Sequence, residues 1–205
     1  MDTSRKSFRK DSGMKQQTKK ITRGAQRTLS AFSNAMSQAL TQQSFEAVTV
    51  NNLCQQANYP RSTFYNYFED KYDLLNYCFS LIVAEIHLNE LAIGDEGQIL
   101  LTCFDRLYDL IDQHKAYVAK VLVHNQDGFL LAGFTNYAQQ VGQKLLVDKI
   151  AVVQELPAEL VVAHCFATIS MVLNWVFVKQ NQLTKQDARL YLVRLYGKPG
   201  LAETK

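Results

Sequence analysis

Apolar residues recur at intervals of three and four along most of this chain of 205 residues. The first such stretch starts near Thr22, and its apolar positions are Ala25, Leu29, Phe32, Ala35, Met36, Ala39 and Leu40. This spacing places apolar side chains on one face of an α-helix. Neither the alternation typical of a β-strand nor an internal repeat stands out, so the sequence predicts an all-α fold.

The same pattern predicts about nine helices in two domains joined by a long helix that begins near Lys71. The helices before it are expected at 22–42, 50–57 and 61–68, and those after it near 95–115, 117–124, 127–151, 157–181 and 184–196. We therefore expect a flexible basic arm at 1–20, a three-helix domain at 21–70 and a larger helical domain at 71–205.

Positive charge is concentrated at the start of the chain. Residues 1–27 contain nine Lys or Arg against Asp2 and Asp11, a net charge of +7, whereas the remainder has 13 basic and 17 acidic residues, a net charge of −4. Such a segment suits a polyanion, because Lys and Arg supply the sequence-independent part of nucleic-acid affinity. A solvated, disordered tail is the alternative.

Two short helices joined by a tight turn are expected between residues 49 and 68. Thr49 is placed to cap the first, and Asn58 tolerates the left-handed conformation needed where that helix ends. Pro60 suits the start of the second, since its missing N–H would be unpaired there anyway. This arrangement matches a helix-turn-helix, whose second helix enters the major groove of DNA.

The second short helix carries residue types that suit DNA contacts. Arg61 bonds two acceptors of a guanine at once, and Ser62 and Thr63 are small enough to let the backbones approach. Lys71, at the next helix N-terminus, favours an anion. Hydroxyl or amide donors for phosphate oxygens are expected from Tyr59, Tyr65, Asn66 and Tyr67.

Helical spacing divides the aromatic rings of this helix between core and surface. Phe64 and Phe68 are four residues apart and share a face, so we expect both to be buried. Tyr65 and Asn66 then turn outward. The alternative is an aromatic-rich helical hairpin wholly inside a core, and DNA binding is the favoured interpretation.

The segment TVNNLCQQANYPRSTFYNYFEDKYDLL resembles the helix-turn-helix of the TetR family of transcriptional regulators, and the resemblance covers about residues 22 to 80. It implies that Arg61 and Ser62 read bases and that Lys71 anchors a phosphate. It also implies that Thr49 both caps its helix and contacts a phosphate. Further DNA or phosphate contacts are implied for Thr63, Tyr65 and Tyr67.

The chain departs from the family pattern at the turn. It has Asn58 where Gly is usual, Tyr59 where a small aliphatic residue is usual, and Pro60 where Ser is usual. Because proline carries no hydroxyl, one expected DNA contact is lost there.

The resemblance further implies a cytoplasmic, nucleoid-associated homodimer that binds an operator in double-stranded DNA. The last two helices, at about 157–196, would pair across the dimer as a four-helix bundle. The C-terminal domain would hold a small-molecule effector, and the protein would act as a repressor. The alternative is a DNA-binding protein of this kind without such an effector, which acts through a protein partner or as an activator. The sequence assigns no residue to effector binding.

One segment is apolar enough to raise a membrane alternative. From Leu160 to Val178 there are 19 residues without a formal charge, which is the length of a membrane span. On a helical projection, His164, Thr168, Ser170 and Asn174 share one side. A helix buried between protein layers or at a dimer interface accounts better for this polar side, and we expect no membrane partner.

Enzymatic, metal and cofactor chemistry are not indicated. The four histidines and four cysteines are widely spaced and form no metal-binding motif, and the cysteines are expected to be reduced core thiols. Neither a nucleophile with an adjacent base nor a Gly-rich phosphate loop is recognisable. A helical enzyme or adaptor that uses the small domain for another purpose is the competing class.

Overall fold

The computed structural model describes residues 22–91, 96–126, 128–146, 156–179, 181 and 183–197. The predicted arm at 1–20 and the tail after Gly197 lie outside these residues. The described part contains nine α-helices and no strand, which confirms the all-α prediction. They are α1 (Arg23–Leu40), α2 (Val50–Ala57), α3 (Arg61–Tyr67), α4 (Lys71–Glu85), α5 (Glu96–Gln113), α6 (Lys115–His124), α7 (Phe129–Leu146), α8 (Ala158–Leu173) and α9 (Lys185–Tyr196).

Side-chain caps fix where several helices begin. The hydroxyl of Thr49 accepts a hydrogen bond from the Asn52 N–H at 3.2 Å, which confirms the predicted cap of α2. Asp70 caps α4 by accepting from the backbone N–H groups of Tyr72 and Asp73 at 2.8 and 2.9 Å. These bonds satisfy donors that the first turn of a helix leaves without a partner.

Asn58 ends α2 in the left-handed conformation, with φ 56° and ψ 44°. The Tyr59 N–H then bonds back to the Cys54 carbonyl at 3.0 Å. This is the tight turn that the sequence predicts, made by Asn in the position where Gly is common. It reverses the chain within three residues, so that α3 packs beside α2 and α1.

The described residues form two apolar cores that share α4. The first core is built from α1, α2, α3 and the first half of α4, and its last member is Phe79. The second begins with Val83 and continues through α5, α7, α8 and α9. The long helix therefore belongs to both cores, and the division between them falls inside α4. The predicted domain boundary after residue 70 stays a prediction.

Helix α8 lies at the centre of the second core. Its inner side packs against α7, α5 and α9. After Leu173 the helix widens into a π-helical segment, Asn174–Val178, in which the Lys179 N–H bonds to the Asn174 carbonyl at 3.0 Å. The predicted helix at 157–181 is therefore a regular α-helix only as far as residue 173.

The stretch Ala158–Val178 is long and apolar enough to cross a membrane when judged by length and composition alone. A share of 44% of its most apolar window is buried against other helices of the chain. The core helix of a globular protein has the same properties, and the packing of α8 is of that kind.

Gly142 tests how tightly α7 and α8 pack. A methyl group at this position would overlap the ring of Phe166, which is only 4% exposed. We expect Gly142→Ala to lower the free energy of unfolding by up to about 2 kcal/mol, because overpacking costs about 1–3 kcal/mol and helix propensity returns only about 1 kcal/mol. Denaturant unfolding followed by circular dichroism measures the change.

Gly24→Ala is the matched control for this prediction. A methyl group there would come no closer than 3.9 Å to the hydroxyl oxygen of Thr22, so the substitution keeps the packing and gains helix propensity. We expect unchanged or higher stability. Equal stability changes in the two variants would contradict the account of Gly142.

Candidate nucleic-acid interface

Helix α3 is held in place by aromatic side chains on one of its faces. Phe64 and Phe68 are 0% and 2% exposed, which confirms the burial predicted from their spacing. Both rings meet the ring of Phe32 on α1 edge to face, at centroid distances of 5.3 and 6.0 Å. Such contacts add to the free energy gained by burial. The opposite face of α3 is thereby left in solvent.

The outward face carries four of the residues predicted to contact DNA. Arg61, Ser62, Tyr65 and Asn66 are all exposed, and their spacing places them on adjoining positions of one helical face. Thr63 is half-buried at the edge of that face. The structure therefore brings the two predicted base readers, Arg61 and Ser62, together with two of the predicted phosphate contacts.

Arg61 and Tyr65 contact each other. The Arg61 Nη2 donates to the Tyr65 hydroxyl at 3.2 Å, and the guanidinium carbon lies 5.9 Å from the centre of the tyrosine ring. The hydrogen bond raises the pKa of Arg61, which is fully charged near neutral pH in any case. Tyr65 thus restricts the directions in which the guanidinium points, although the sequence analysis treats the two as separate contacts.

Tyr59 and Tyr67 are less available than the predicted phosphate contacts suggest. Both are half-buried. The ring of Tyr59 packs on Phe32 at a centroid distance of 5.7 Å, and that of Tyr67 lies 6.4 Å from Phe68. Each ring therefore contributes to the first core, and only its hydroxyl end is left for a backbone phosphate. The predicted contacts stay predictions.

Thr49 lies exposed at the first turn of α2. Because its oxygen accepts the capping hydrogen bond, the hydroxyl proton is still able to donate to a phosphate oxygen. The one side chain thus combines the two roles that the family resemblance implies, although contact with DNA is again a prediction.

Lys71 differs most from its predicted environment. Its ammonium donates to three backbone carbonyls, those of Phe45, Glu46 and Val48, at 2.9, 2.8 and 2.9 Å. It also lies 4.8 Å from the centre of the Phe45 ring. An ammonium has three donors, so a phosphate would compete with these carbonyls for Lys71.

The electrostatic setting of Lys71 fits a structural contact. Partial burial lowers its pKa, while the nearby carboxylates of Glu46 and Asp70 act in the opposite direction. The segment that it holds, residues 45–48, leads directly into the Thr49 cap of α2. Lys71 therefore fixes the start of α4 to the start of the helix-turn-helix.

Further positive charge lies on α1. Arg23 and Arg27 are exposed on its first turns and border an open surface groove with Ser30 and Asn34. These two arginines belong to the basic segment at 1–27 and are its members within the described residues.

Other chemistry has little support in the part of the chain that the structure describes. No three His, Cys, Asp or Glu side chains come together there as metal ligands would. Burial raises the pKa of both Cys78 and Cys103 to about 12, so these thiols are protonated at neutral pH and are poor nucleophiles.

The chain is similar to known proteins in one part of its sequence and in its fold. The family model of bacterial regulatory proteins of the tetR family matches residues 35–78. The chain is similar in fold to a TetR transcriptional regulator from Streptococcus agalactiae, with a TM-score of 0.54 and 21% identity over 83% of this chain and 94% of that one. It is also similar to the dihydroxyacetone kinase operon activator DhaS, with a TM-score of 0.46 and 18% identity over 82% of this chain and 93% of that one. No curated protein matches.

The structural contribution of Lys71 is open to a stability measurement. We expect Lys71→Met to lower the free energy of unfolding by about 1–3 kcal/mol, because carbonyls of the 45–48 segment lose a charged donor. Lys115→Met is the control, since the ammonium of Lys115 meets the exposed carboxylate of Asp112, at 3.3 Å, and the loss of this pair should change stability by less than about 0.5 kcal/mol. Similar losses of unfolding free energy in both variants would contradict the structural role of Lys71.

Proposed function

We propose that the chain is a DNA-binding transcriptional regulator of the TetR family, whose family model matches residues 35–78, and that it is an effector-responsive repressor that binds a palindromic operator as a homodimer. Members of this family are transcription regulators and not enzymes. The observation that carries the proposal is the exposed polar face of α3, which is fixed from behind by Phe64 and Phe68. A short helix so supported enters the major groove without having to order itself on binding.

The proposed readout divides the exposed residues by reach and chemistry. Arg61 carries most of the sequence choice, because a guanidinium bonds the O6 and N7 acceptors of one guanine together. Ser62 adds a short donor beside it. The remaining contacts go to the DNA backbone and position the helix without reading sequence. They are assigned to Thr49, Tyr59, Thr63, Tyr65, Asn66, Tyr67 and, in competition with its carbonyls, Lys71.

Homodimerisation through α8 and α9 is supported by an exposed apolar stripe. Leu160, Met171 and Trp175 lie on the outer face of the α8 region and are 55%, 52% and 54% exposed. On α9, Tyr191 and Leu195 are exposed and lie one turn apart. Two copies that join these faces form a four-helix bundle, and the burial of such a stripe is what drives association.

An effector in the C-terminal domain is supported by polar groups within its apolar helices. The hydroxyls of Thr135 on α7 and Ser170 on α8 are 2.8 Å apart. Asn174 follows one turn later at the π-helical segment, and its Oδ1 is buried without a hydrogen-bond partner among the described residues. Irregular helix and unsatisfied polar groups are frequent at ligand sites. A small molecule oriented there would favour one separation of the two α3 helices over the other.

The second candidate is a regulator of the same fold that has no small-molecule effector and acts through a protein partner or as an activator. It keeps the readout by α3 and the dimer. In both cases the protein would act in the cytoplasm, associated with the nucleoid.

Operator binding tests the role of Arg61. Binding is measured by electrophoretic shifts with DNA from upstream of the protein's own gene. We expect Arg61→Ala to weaken the free energy of binding at the preferred sequence by about 1–3 kcal/mol and to reduce discrimination against altered half-sites. Asn66→Ala should weaken binding to all DNA sequences about equally. Lys120→Ala, which removes an exposed charge on α6, is the control and should bind as wild type does. Unchanged discrimination with Arg61→Ala would show that the sequence is read elsewhere.

The oligomeric state tests the apolar stripe. We expect Trp175→Asp to halve the molar mass measured by light scattering or sedimentation, because a charge would have to be buried in the bundle without a partner. Val123→Asp introduces the same charge at an apolar residue on α6 that is 64% exposed, and it should leave the mass unchanged. A wild-type mass for Trp175→Asp would place any dimer interface on another surface.

A further inference from the structure

Asn125 connects two parts of the molecule that are far apart in sequence. It follows the last residue of α6 and is only 6% exposed, which is unusual for an amide side chain. Two of its hydrogen-bond partners lie 80 and 85 residues earlier in the chain, in the first core. Its sequence neighbours form no pattern that marks it as a contact residue.

The side-chain amide of Asn125 is fully used. Its Oδ1 accepts from the Phe45 N–H at 2.8 Å, and its Nδ2 donates to the carbonyls of Leu40 and Val121 at 3.3 and 2.9 Å. The partners decide the orientation of the amide, because the flipped form would set NH₂ against an N–H and oxygen against two carbonyls. One buried side chain thus joins the end of α1, the segment before α2 and the end of α6.

Aromatic packing reinforces the same junction. Phe129, in the first turn of α7, stacks on Phe45 with centroids 5.5 Å apart and planes 15° from parallel. Tyr72 of α4 meets both rings edge to face, at 5.2 and 6.3 Å. Phe45 is therefore held by the C-terminal helices on one side and by α4 on the other.

Phe45 lies in the segment that sets the position of the helix-turn-helix. The ammonium of Lys71 binds the carbonyls of residues 45, 46 and 48, and Thr49 follows as the cap of α2. A shift of the turn between α6 and α7 would therefore be transmitted through Asn125 to this segment, without passing along the covalent connection through α4.

We propose that Asn125 is a positioning residue for operator binding, which fixes the angle between the DNA-binding head, residues 22–79, and the C-terminal helices. In a dimer that angle determines the separation of the two α3 helices, and so the operator spacing that both reach at once. The inference rests on the proposed function for its consequence at the operator. The positioning itself is a property of the single chain.

The other contacts between the head and the C-terminal helices are less suited to this role. The Tyr117 hydroxyl donates to the Ser37 carbonyl at 3.3 Å, but it is a single bond at an exposed site. Arg106 of α5 donates to the carbonyls of Ile86 and His87, which lie beyond the head at the end of α4. Among these contacts, Asn125 alone makes buried bonds to two separate segments of the head.

The test measures a distance that depends on this angle. Spin labels are attached to the exposed positions Asn51→Cys on α2 and Gln113→Cys on α5, and the distance between them is measured. The protein also carries Cys78→Ser, and the labelled chain is diluted into an excess of unlabelled chain. We expect one narrow distance distribution for the wild type and for Gln126→Ala, the exposed neighbour whose amide donates to the Val123 carbonyl in its own turn. Asn125→Ala should broaden the distribution or shift its mean.

The same variants are compared on DNA that carries the full operator or one half-site. Asn125→Ala should lower affinity for the full operator by about fivefold or more, with half-site affinity unchanged, since the face of α3 is intact. Asn125→Asp, which keeps the side-chain volume and the acceptor for Phe45 but loses both donors, is measured alongside in case the alanine variant does not fold, and it should act in the same direction.

Two outcomes would overturn the inference. One is a wild-type distance distribution in both Asn125 variants. The other is an equal loss at half-site and full operator without a change of distance, which would mean that Asn125 supports only the folding of the head. A wild-type protein that binds no DNA would instead reject the proposed function, and the distance measurement would still decide on Asn125.

Discussion

The packing of Phe64 and Phe68 against Phe32 is the interaction on which the recognition surface depends. Helix α3 has only seven residues, and a helix of that length is not stable alone in water. The helix is stabilised by the packing of Phe64 and Phe68 on Phe32, and these three rings are 0–2% exposed. Because the buried face holds the helix in place, the exposed face is free to carry the polar residues that are proposed to contact DNA.

Two kinds of contact hold the head, and they differ in how they respond to change. Inside the first core the contacts are apolar, close-packed and costly to rearrange. Around Phe45 they include directional hydrogen bonds, since Lys71 donates to three carbonyls there and the Phe45 N–H donates to Asn125, together with stacked rings. Each such bond can be lost singly, at a cost of about 1–3 kcal/mol where it leaves a buried group without a partner. The attachment of the head thus rests on a few directional contacts, whereas the head itself is held by many apolar ones.

What the sequence predicts well is what neighbouring residues decide. The burial of Phe64 and Phe68, the turn at Asn58 and the cap at Thr49 all follow from spacings of five residues or fewer. The contact between Arg61 and Tyr65 was equally open to prediction, since they are four residues apart. By contrast, the partners of Lys71 lie 23 to 26 residues away and those of Asn125 up to 85. No local pattern distinguishes these two side chains from solvated ones, and only the assembled fold brings their partners near.

The same limit explains why α3 is easier to interpret than the C-terminal helices. The chemistry of DNA is fixed, so the types of residue that read it recur and are recognisable in a single sequence. The proposed effector site would instead be shaped by helices that are distant in the chain, such as those that bring the hydroxyls of Thr135 and Ser170 within 2.8 Å of each other. The change to π-helix at Asn174 occurs without Pro or Gly in the Asn174–Val178 segment, so the sequence carries no local signal for it. Asn125 links the two parts, because it bonds to Phe45 and Leu40 in the head from the end of α6. The position of a helix-turn-helix that local patterns predict thus depends on a contact that only the tertiary structure reveals.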